Sequence, residues 1–278
     1  VAVGIDAAPP TAPQPTETFA QPYGSKRYRL SLQIVKFGGG NSSGGEDGRI
    51  QDQTTTKTFV IANTGQSMFE MVRDMMGRTS KTLYFEHLQT IIISEEAVRL
   101  AGLSPIIDFF RRDPEMRWRV SVYLTPGSAA KILEFNPPTG EPGGVYLHSI
   151  ARNQRRSGHI GTLRNDLGFI SQAMDNKDDV RIPAIVQAED TVKLTGLALF
   201  KQTTFAGYVD EHVVQGLRII DGSLRSAVIA APCPEHPDNV LVFELYRHKT
   251  KLRPHVDGDN IYFTLDINMR GNLGEASC

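Results

Sequence analysis

The strongest pattern of apolar and polar positions lies near the end of the chain. Apolar side chains occupy every second position there, at Ile261, Phe263, Leu265, Ile267 and Met269. The positions between them hold Tyr262, Thr264, Asp266 and Asn268. Because successive side chains of a strand point to opposite faces, this period of two predicts a β-strand with one apolar and one polar face.

A second alternating segment runs from Lys26 to Phe37. Its apolar positions are Tyr28, Leu30, Leu32 and Ile34, and polar residues between them predict a half-buried strand. The segment from Thr54 to Ile61 is a plausible antiparallel partner. Gly38 to Gly48 lies between the two and has no apolar residue, so we expect a mobile hairpin tip.

Capping residues mark the beginnings of helices. Ser67 and Glu70 have the spacing of a capping box, in which each side chain satisfies a free backbone amide at a helix start. The predicted helix ends near Gly77, and its apolar face consists of Phe69, Val72 and Met76. A shorter helix is predicted from Ser94 to Gly102.

The middle of the chain mixes strands with helices. Met116 to Leu124 alternates, which predicts a strand with one solvent-facing side and with Trp118 buried beside Val120 and Val122. Two helical segments, Val145 to about Arg156 and Thr162 to Met174, then separate two β-rich regions. This mixture predicts an α+β, multi-domain fold with mixed or antiparallel sheets and flanking helices.

Composition narrows the class of protein. The 278 residues are 40% hydrophobic and carry a formal net charge of −1. At roughly 150 residues per domain, this length predicts about two domains with enough core to fold without disulfides. No region carries a dominating positive excess, which argues against nucleic-acid binding. The apolar runs are also far shorter than the roughly 18 residues of a membrane-spanning helix.

No motif assembles a catalytic or metal site. The glycines from Gly38 to Gly45 lack the Lys-Ser/Thr of a phosphate-binding loop. His87, beside Glu86 and near Glu95 and Glu96, fits no standard metal-binding spacing and is interpreted as structural. Cys233 and His236 are interpreted as part of an ordinary loop. We therefore predict no catalytic, cofactor-binding or metal-binding residues and no cofactor.

Several arginines are candidates for contact with anionic lipid or with an acidic partner. They are Arg111, Arg112, Arg117, Arg119, Arg152, Arg155 and Arg156. A solvated charged face is the simpler interpretation, because acidic residues are interspersed along the chain. The net charge of −1 predicts only weak attraction to an anionic membrane.

Six segments, taken in order, carry a family resemblance. They are VAVGIDA from Val1, YRLSLQIV from Tyr28, the block from Gly65 to Glu134 that includes YFEHLQTIIISEEAVRLAG, Ile182 to Ile185, Gly196 to Leu217, and Lys249 to Glu275. In this order they resemble the Ger(x)C family, the C subunits of bacterial spore germinant receptors. The resemblance covers nearly the whole chain.

Membership would imply a non-enzymatic receptor subunit that acts with an A subunit and a membrane-embedded B subunit. It would also imply a lipoprotein held on the outer face of the spore inner membrane by an N-terminal diacylglyceryl cysteine. That cysteine does not precede Val1, and the family's helical C-terminal part does not follow Gly274-Glu275. The resemblance therefore implies a piece of a longer protein whose membrane anchor lies outside this sequence.

The expected division is an N-terminal region of residues 1–188, with subdomains of about 1–140 and 141–188, and a truncated C-terminal domain of residues 189–278. Two other functions stay open from the residues. One is an extracytoplasmic solute-binding protein, which would usually have α/β halves around an apolar pocket. The other is a hydrolase with an unrecognised site.

Overall fold

The computed structural model describes residues 2–8, 26–35, 58–79, 83–157, 164–189 and 191–276. The predicted hairpin tip at Gly38 to Gly48 lies outside these residues. Chain contacts divide the molecule into two units. The first comprises residues 1–149, 165–193 and 198–207, and the second comprises residues 150–164, 194–197 and 208–278.

An eight-stranded mixed sheet organises the first unit. Its strands are β1 (Ala2–Ala7), β2 (Tyr28–Val35), β3 (Thr58–Gly65), β4 (Thr90–Ser94), β5 (Ser121–Thr125), β6 (Val180–Gln187), β7 (Val192–Lys201) and β8 (Thr204–Val209). They are ordered β3-β2-β1-β4-β5-β6-β7-β8. β1 pairs antiparallel with β2 and parallel with β4, and the predicted β2–β3 antiparallel pair is confirmed.

Helices and a 3-10 turn connect these strands. They are α1 (Met68–Met76), a 3-10 helix at Phe85–His87, α2 (Glu95–Ala101), α3 (Leu103–Arg112), α4 (Ala129–Glu134), α5 (Gly143–Ser157) and α6 (Leu167–Asp175). Every residue of β4 and β5 is buried, including Ile91, Ile92 and Ile93. These central strands therefore have cover on both faces, as strands of parallel sheets do.

A three-stranded antiparallel sheet and one helix make up most of the second unit. The elements are α7 (Glu211–Ile220), β9 (Ala227–Pro232), β10 (Val240–Asp257) and β11 (Asn260–Ala276), with the strand order β11-β10-β9. The apolar side chains of Leu224, Ala227 and Leu245 form a small core. Together with the mixed sheet of the first unit, this arrangement confirms the predicted α+β class.

The expectation that β2 is half-buried was wrong. Its polar residues Ser31 and Gln33 are buried, because α4 and the start of α5 cover the face that the pattern assigns to solvent. The Gln33 amide donates to the Leu133 carbonyl oxygen at 2.7 Å, and its oxygen accepts from the Gly144 amide at 3.0 Å. A buried amide with both partners satisfied is stable in the core, so polarity did not mark exposure here.

The strand predicted from Met116 to Leu124 is shorter than expected. β5 begins only at Ser121, and Trp118 lies in the preceding turn with 53% of its surface exposed. Tyr123, assigned to the solvent-facing side, is fully buried. The alternation extended beyond the strand because turn residues also placed Met116 and Val120 inward.

Candidate functional site: a helix-lined groove and a two-faced hairpin

A groove of about 760 Å³ lies between α1 and α3 in the first unit. α1 begins at Ser67, whose hydroxyl oxygen accepts from the Glu70 amide, and it ends at Gly77 as predicted. Tyr28 of β2 and Phe85 of the 3-10 helix also line the groove. We call this feature the helical groove.

Aromatic and methionine side chains make up about a third of the residues that line the groove. The Phe109 ring lies 6.0 Å from Phe69 and 5.9 Å from Phe85 between ring centroids, and Met68 and Met76 lie alongside. Phe69 is 54% exposed, although Met68 and Val72 beside it on the same helix are buried. Flexible methionine side chains adapt to irregular partners, so such a lining can accept apolar groups of various shapes.

Five charged residues also line the groove, and the charges of three of them are engaged in other contacts. The Arg73 guanidinium lies 5.0 Å above the Phe69 ring. Arg112 Nε donates to Asp108 Oδ2 at 2.8 Å, and this contact raises the pKa of the Arg112 guanidinium. Burial raises the pKa of the Tyr28 phenol, so it stays neutral at physiological pH. A ligand of the groove would therefore be held mainly by apolar contact.

The second surface is the hairpin of β10 and β11. One of its faces carries the predicted stripe of Ile261, Phe263, Leu265, Ile267 and Met269, with Leu252, Pro254 and Val256 opposite them on β10. We call this the apolar face. α7 covers its base, where the Thr250 hydroxyl donates to the Ile219 carbonyl oxygen at 2.6 Å. Farther out, Ile261 and Phe263 are 68% and 62% exposed.

Two of the residues considered for a metal site are engaged in ion pairs. Glu86, next to His87 in the 3-10 helix, pairs with Arg117 at 3.0 Å. Glu95 pairs with Arg99 at 2.6 Å one turn along α2. Across the described ranges, no three His, Cys, Asp or Glu side chains converge as metal ligands would.

Cys233 and His236 lie in the loop after β9, as expected. Cys233 is buried, and its sulfur accepts a hydrogen bond from the His236 backbone amide at 3.4 Å. Cys233 is also disulfide-bonded, which the length of the chain did not lead us to expect. A disulfide sulfur carries no thiolate charge, so Cys233 is not available as a thiolate metal ligand.

The arginines singled out from the sequence are divided between the two units, with those from Arg111 to Arg119 in the first. Arg111 pairs with Asp175 at 2.6 Å, and Arg112 and Arg117 have the partners given above. Arg119 is exposed. The structure does not describe the side chains of Arg152, Arg155 and Arg156 in α5. The glycine cluster at Gly38 to Gly45 also lies outside the described residues.

Sequence reasoning missed the helical groove as a site. It identified Phe69, Val72 and Met76 as one face of a helix, but this signal also describes a buried face. The other walls come from α3 and from the segment around Phe85, whose approach depends on tertiary packing. Within the part of the chain that the structure covers, no helix has the length and apolar character needed to cross a bilayer.

Two family models match the chain. One, described as the spore germination protein N-terminal domain, matches residues 19–187. The other, described as spore germination B3/GerAC-like, C-terminal, matches residues 195–278. Together they account for most of the chain.

Curated relatives agree with these models. The chain is 25% identical over 254 residues to spore germination protein YndF of Bacillus subtilis (strain 168), covering 88% of this chain and 61% of the relative. It is 23% identical over 220 residues to spore germination protein B3 of the same strain, covering 77% of this chain and 57% of the relative. The chain therefore spans about three fifths of the length of these relatives.

A solved structure shares the fold. The crystal structure of the GerBC protein superposes with a TM-score of 0.55 at 18% identity, covering 100% of this chain and 73% of that chain.

Proposed function

Because the chain belongs to the spore germination family defined by these N-terminal and GerAC-like C-terminal domains, we propose that it acts as a non-enzymatic subunit of a nutrient germinant receptor. Its partners in this proposal are the receptor A and B subunits. The complex lies at the outer face of the spore inner membrane, held there by a diacylglyceryl cysteine outside this sequence. The order of the family matches along the chain supports the proposal.

The domain division stays part of this proposal. Residues 1–188 form the N-terminal region and residues 189–278 the C-terminal domain. The extents of the two family matches, residues 19–187 and residues 195–278, support this division.

The observation that carries the proposed mode of action is the exposure of Phe69 in the helical groove. An exposed aromatic ring beside methionines is suited to receive apolar side chains of another receptor subunit, because the nearby charges of Arg73 and Arg112 are already engaged. Aromatic anchors that fill such grooves commonly dominate the binding energy of protein interfaces. The groove thus supports an interaction role.

Replacement of the gene in spores by a Phe69→Asp allele tests the proposal. We expect nutrient-triggered germination to be lost, as in a deletion, while triggers that bypass nutrient receptors still act. Phe59→Asp is the matched control, because Phe59 is also exposed but lies on β3, away from the groove. Nutrient germination that proceeds normally in the deletion strain would overturn the receptor role.

A further inference from the structure

The middle of the polar face of the C-terminal hairpin is basic, between rungs that hold Glu244 and Asp257. In the β10–β11 register, Arg247 lies opposite Arg270, Lys249 opposite Asn268, Lys251 opposite Asp266, and Arg253 opposite Thr264. Directly opposed residues of an antiparallel pair share a face, and so do residues two apart along a strand. All of these side chains are exposed. We call this set the basic face, on which five cations stand against one carboxylate.

Most of this positive charge has no counter-ion among the residues that the structure describes. Asp266 pairs with Arg253 at 2.7 Å. Arg247, Lys249, Lys251 and Arg270 make no ion pair with any residue of the described ranges. Arg247 and Arg270 are also directly opposed on one rung, where like charges disfavour pairing of the strands. The hairpin therefore presents an unbalanced positive surface.

The basic face points away from the core of the second unit. α7 lies on the opposite face, against Thr250 and the buried Leu245. Side chains two apart along a strand are spaced by roughly 6.6 Å, so the four rungs from Arg247 to Arg253 extend over roughly 20 Å. The charges are thus distributed over an extended strip and are not gathered around one point.

We infer that the basic face binds the headgroup layer of an anionic phospholipid bilayer. An extended strip of uncompensated cations complements a planar anionic surface better than it complements a single small anion. Clusters of four or more Lys or Arg next to a membrane are typical of binding to anionic lipid. This inference rests on the membrane location proposed above. The overall net charge of −1 does not reveal this face, because the fold separates the charges that composition averages.

Vesicle binding by the purified protein tests the inference. Vesicles contain either phosphatidylcholine alone or an equimolar mixture with phosphatidylglycerol. A variant with Arg247→Gln, Lys249→Gln, Lys251→Gln and Arg270→Gln should bind the anionic vesicles about 600-fold more weakly than the unchanged protein, since each of the four cations contributes about fivefold. Binding should also fall steeply as salt is raised.

Two further variants separate charge from folding. Arg119→Gln, Lys131→Gln, Arg181→Gln and Lys201→Gln together remove the same charge from exposed positions of the first unit and should leave binding within about twofold, since only cations next to the bilayer contribute. Arg247→Lys with Arg270→Lys keeps the charge and should retain binding. Melting curves of all variants confirm that they fold.

Several results would overturn the inference. The four-Gln variant could bind anionic vesicles as tightly as the unchanged protein does. The unchanged protein could bind phosphatidylcholine vesicles as tightly as anionic ones, or fail to bind anionic vesicles even at low salt. The inference would also be overturned if the four-Gln variant no longer co-purified with a receptor subunit but still bound vesicles normally. The basic face would then bind an acidic protein. Vesicle binding with normal nutrient germination in a deletion strain would refute the receptor role alone.

Discussion

Asp6, in strand β1, caps the helix that begins at Ala129. Its Oδ1 accepts from the Ala129 amide at 2.7 Å and its Oδ2 from the Ala130 amide at 3.0 Å, and the Ser128 hydroxyl donates to the same carboxylate at 3.3 Å. Gly4 faces the same helix, and a Cβ there would lie 3.2 Å from the Ala129 carbonyl carbon. The Gly-x-Asp of the VAVGIDA segment is therefore the docking point of α4 on the sheet.

Replacing Asp6 with alanine should destabilise the protein. The change leaves two amides at the start of α4 without an acceptor in a buried site, which costs about 2–4 kcal/mol. Urea denaturation measures the free energy of unfolding. Asp259→Ala, in the exposed turn between β10 and β11, is the control and should change stability by about 0.5 kcal/mol or less. Equal effects of the two changes would show that the cap contributes little.

Two phenylalanines of neighbouring helices should respond differently to truncation. Phe110 is 1% exposed in the core, so Phe110→Ala should lower the free energy of unfolding by about 3–5 kcal/mol. Phe69→Ala should cost about 1 kcal/mol or less, because more than half of the ring is already in water. If Phe69→Ala proved as destabilising as Phe110→Ala, Phe69 would belong to the core and not to a docking surface.

Fluorescence of Trp118, the single tryptophan, reports its exposure directly. We expect an emission maximum typical of indole in water, accessibility to iodide quenching, and little loss of stability in Trp118→Phe. A blue-shifted, unquenched emission would contradict the turn placement and favour the buried strand position that alternation alone predicts.

These residues show what the sequence could predict. Local sequence signals predicted correctly those features that depend on local contacts. Ser67 caps α1, Gly102 ends α2 with a positive φ of 75°, and the segment with a period of two forms strand β11. Alternation failed for Gln33 because its partners Leu133 and Gly144 lie about 100 residues away in sequence. Hydrogen bonds between such distant positions leave no periodic trace.

The candidate surfaces were predictable to different degrees. The apolar face follows from β11 alone, whereas the basic face also needs the register that places Arg247 opposite Arg270. The bulge between Leu245 and Arg247 shifts that register by one residue, and alternation cannot locate it. The helical groove needs the approach of four separate segments, so no single stretch of sequence signals it.

A thermal-shift screen with amino acids and sugars distinguishes the receptor subunit from a solute-binding protein. A ligand that binds only the folded state stabilises it by about 2.7 kcal/mol at 100 times its Kd, which is readily measured. Because the groove suits apolar side chains of a protein partner, we expect no shift. A shift that disappears in Phe69→Asp would place a small ligand in the groove and favour solute binding.

Arg247 and Arg270 face each other as like charges on one rung of the hairpin. Arg270→Glu replaces repulsion with Arg247 by attraction, and opposite charges on one rung stabilise a sheet by about 0.2–1 kcal/mol. Slower hydrogen exchange of the β10 and β11 amides should report this local gain, which should shrink at high salt. Arg270→Gln separates the loss of repulsion from the new attraction. Arg247→Glu with Arg270→Glu restores a like-charge rung and should cancel the gain.

The same Arg270→Glu protein should bind anionic vesicles more weakly, because it lowers the charge of the basic face by two. If Arg270→Glu raises stability and weakens lipid binding, the two arginines favour binding of an anionic partner at the expense of strand pairing. If the β10 and β11 amides gain no protection, water already screens the two arginines from each other.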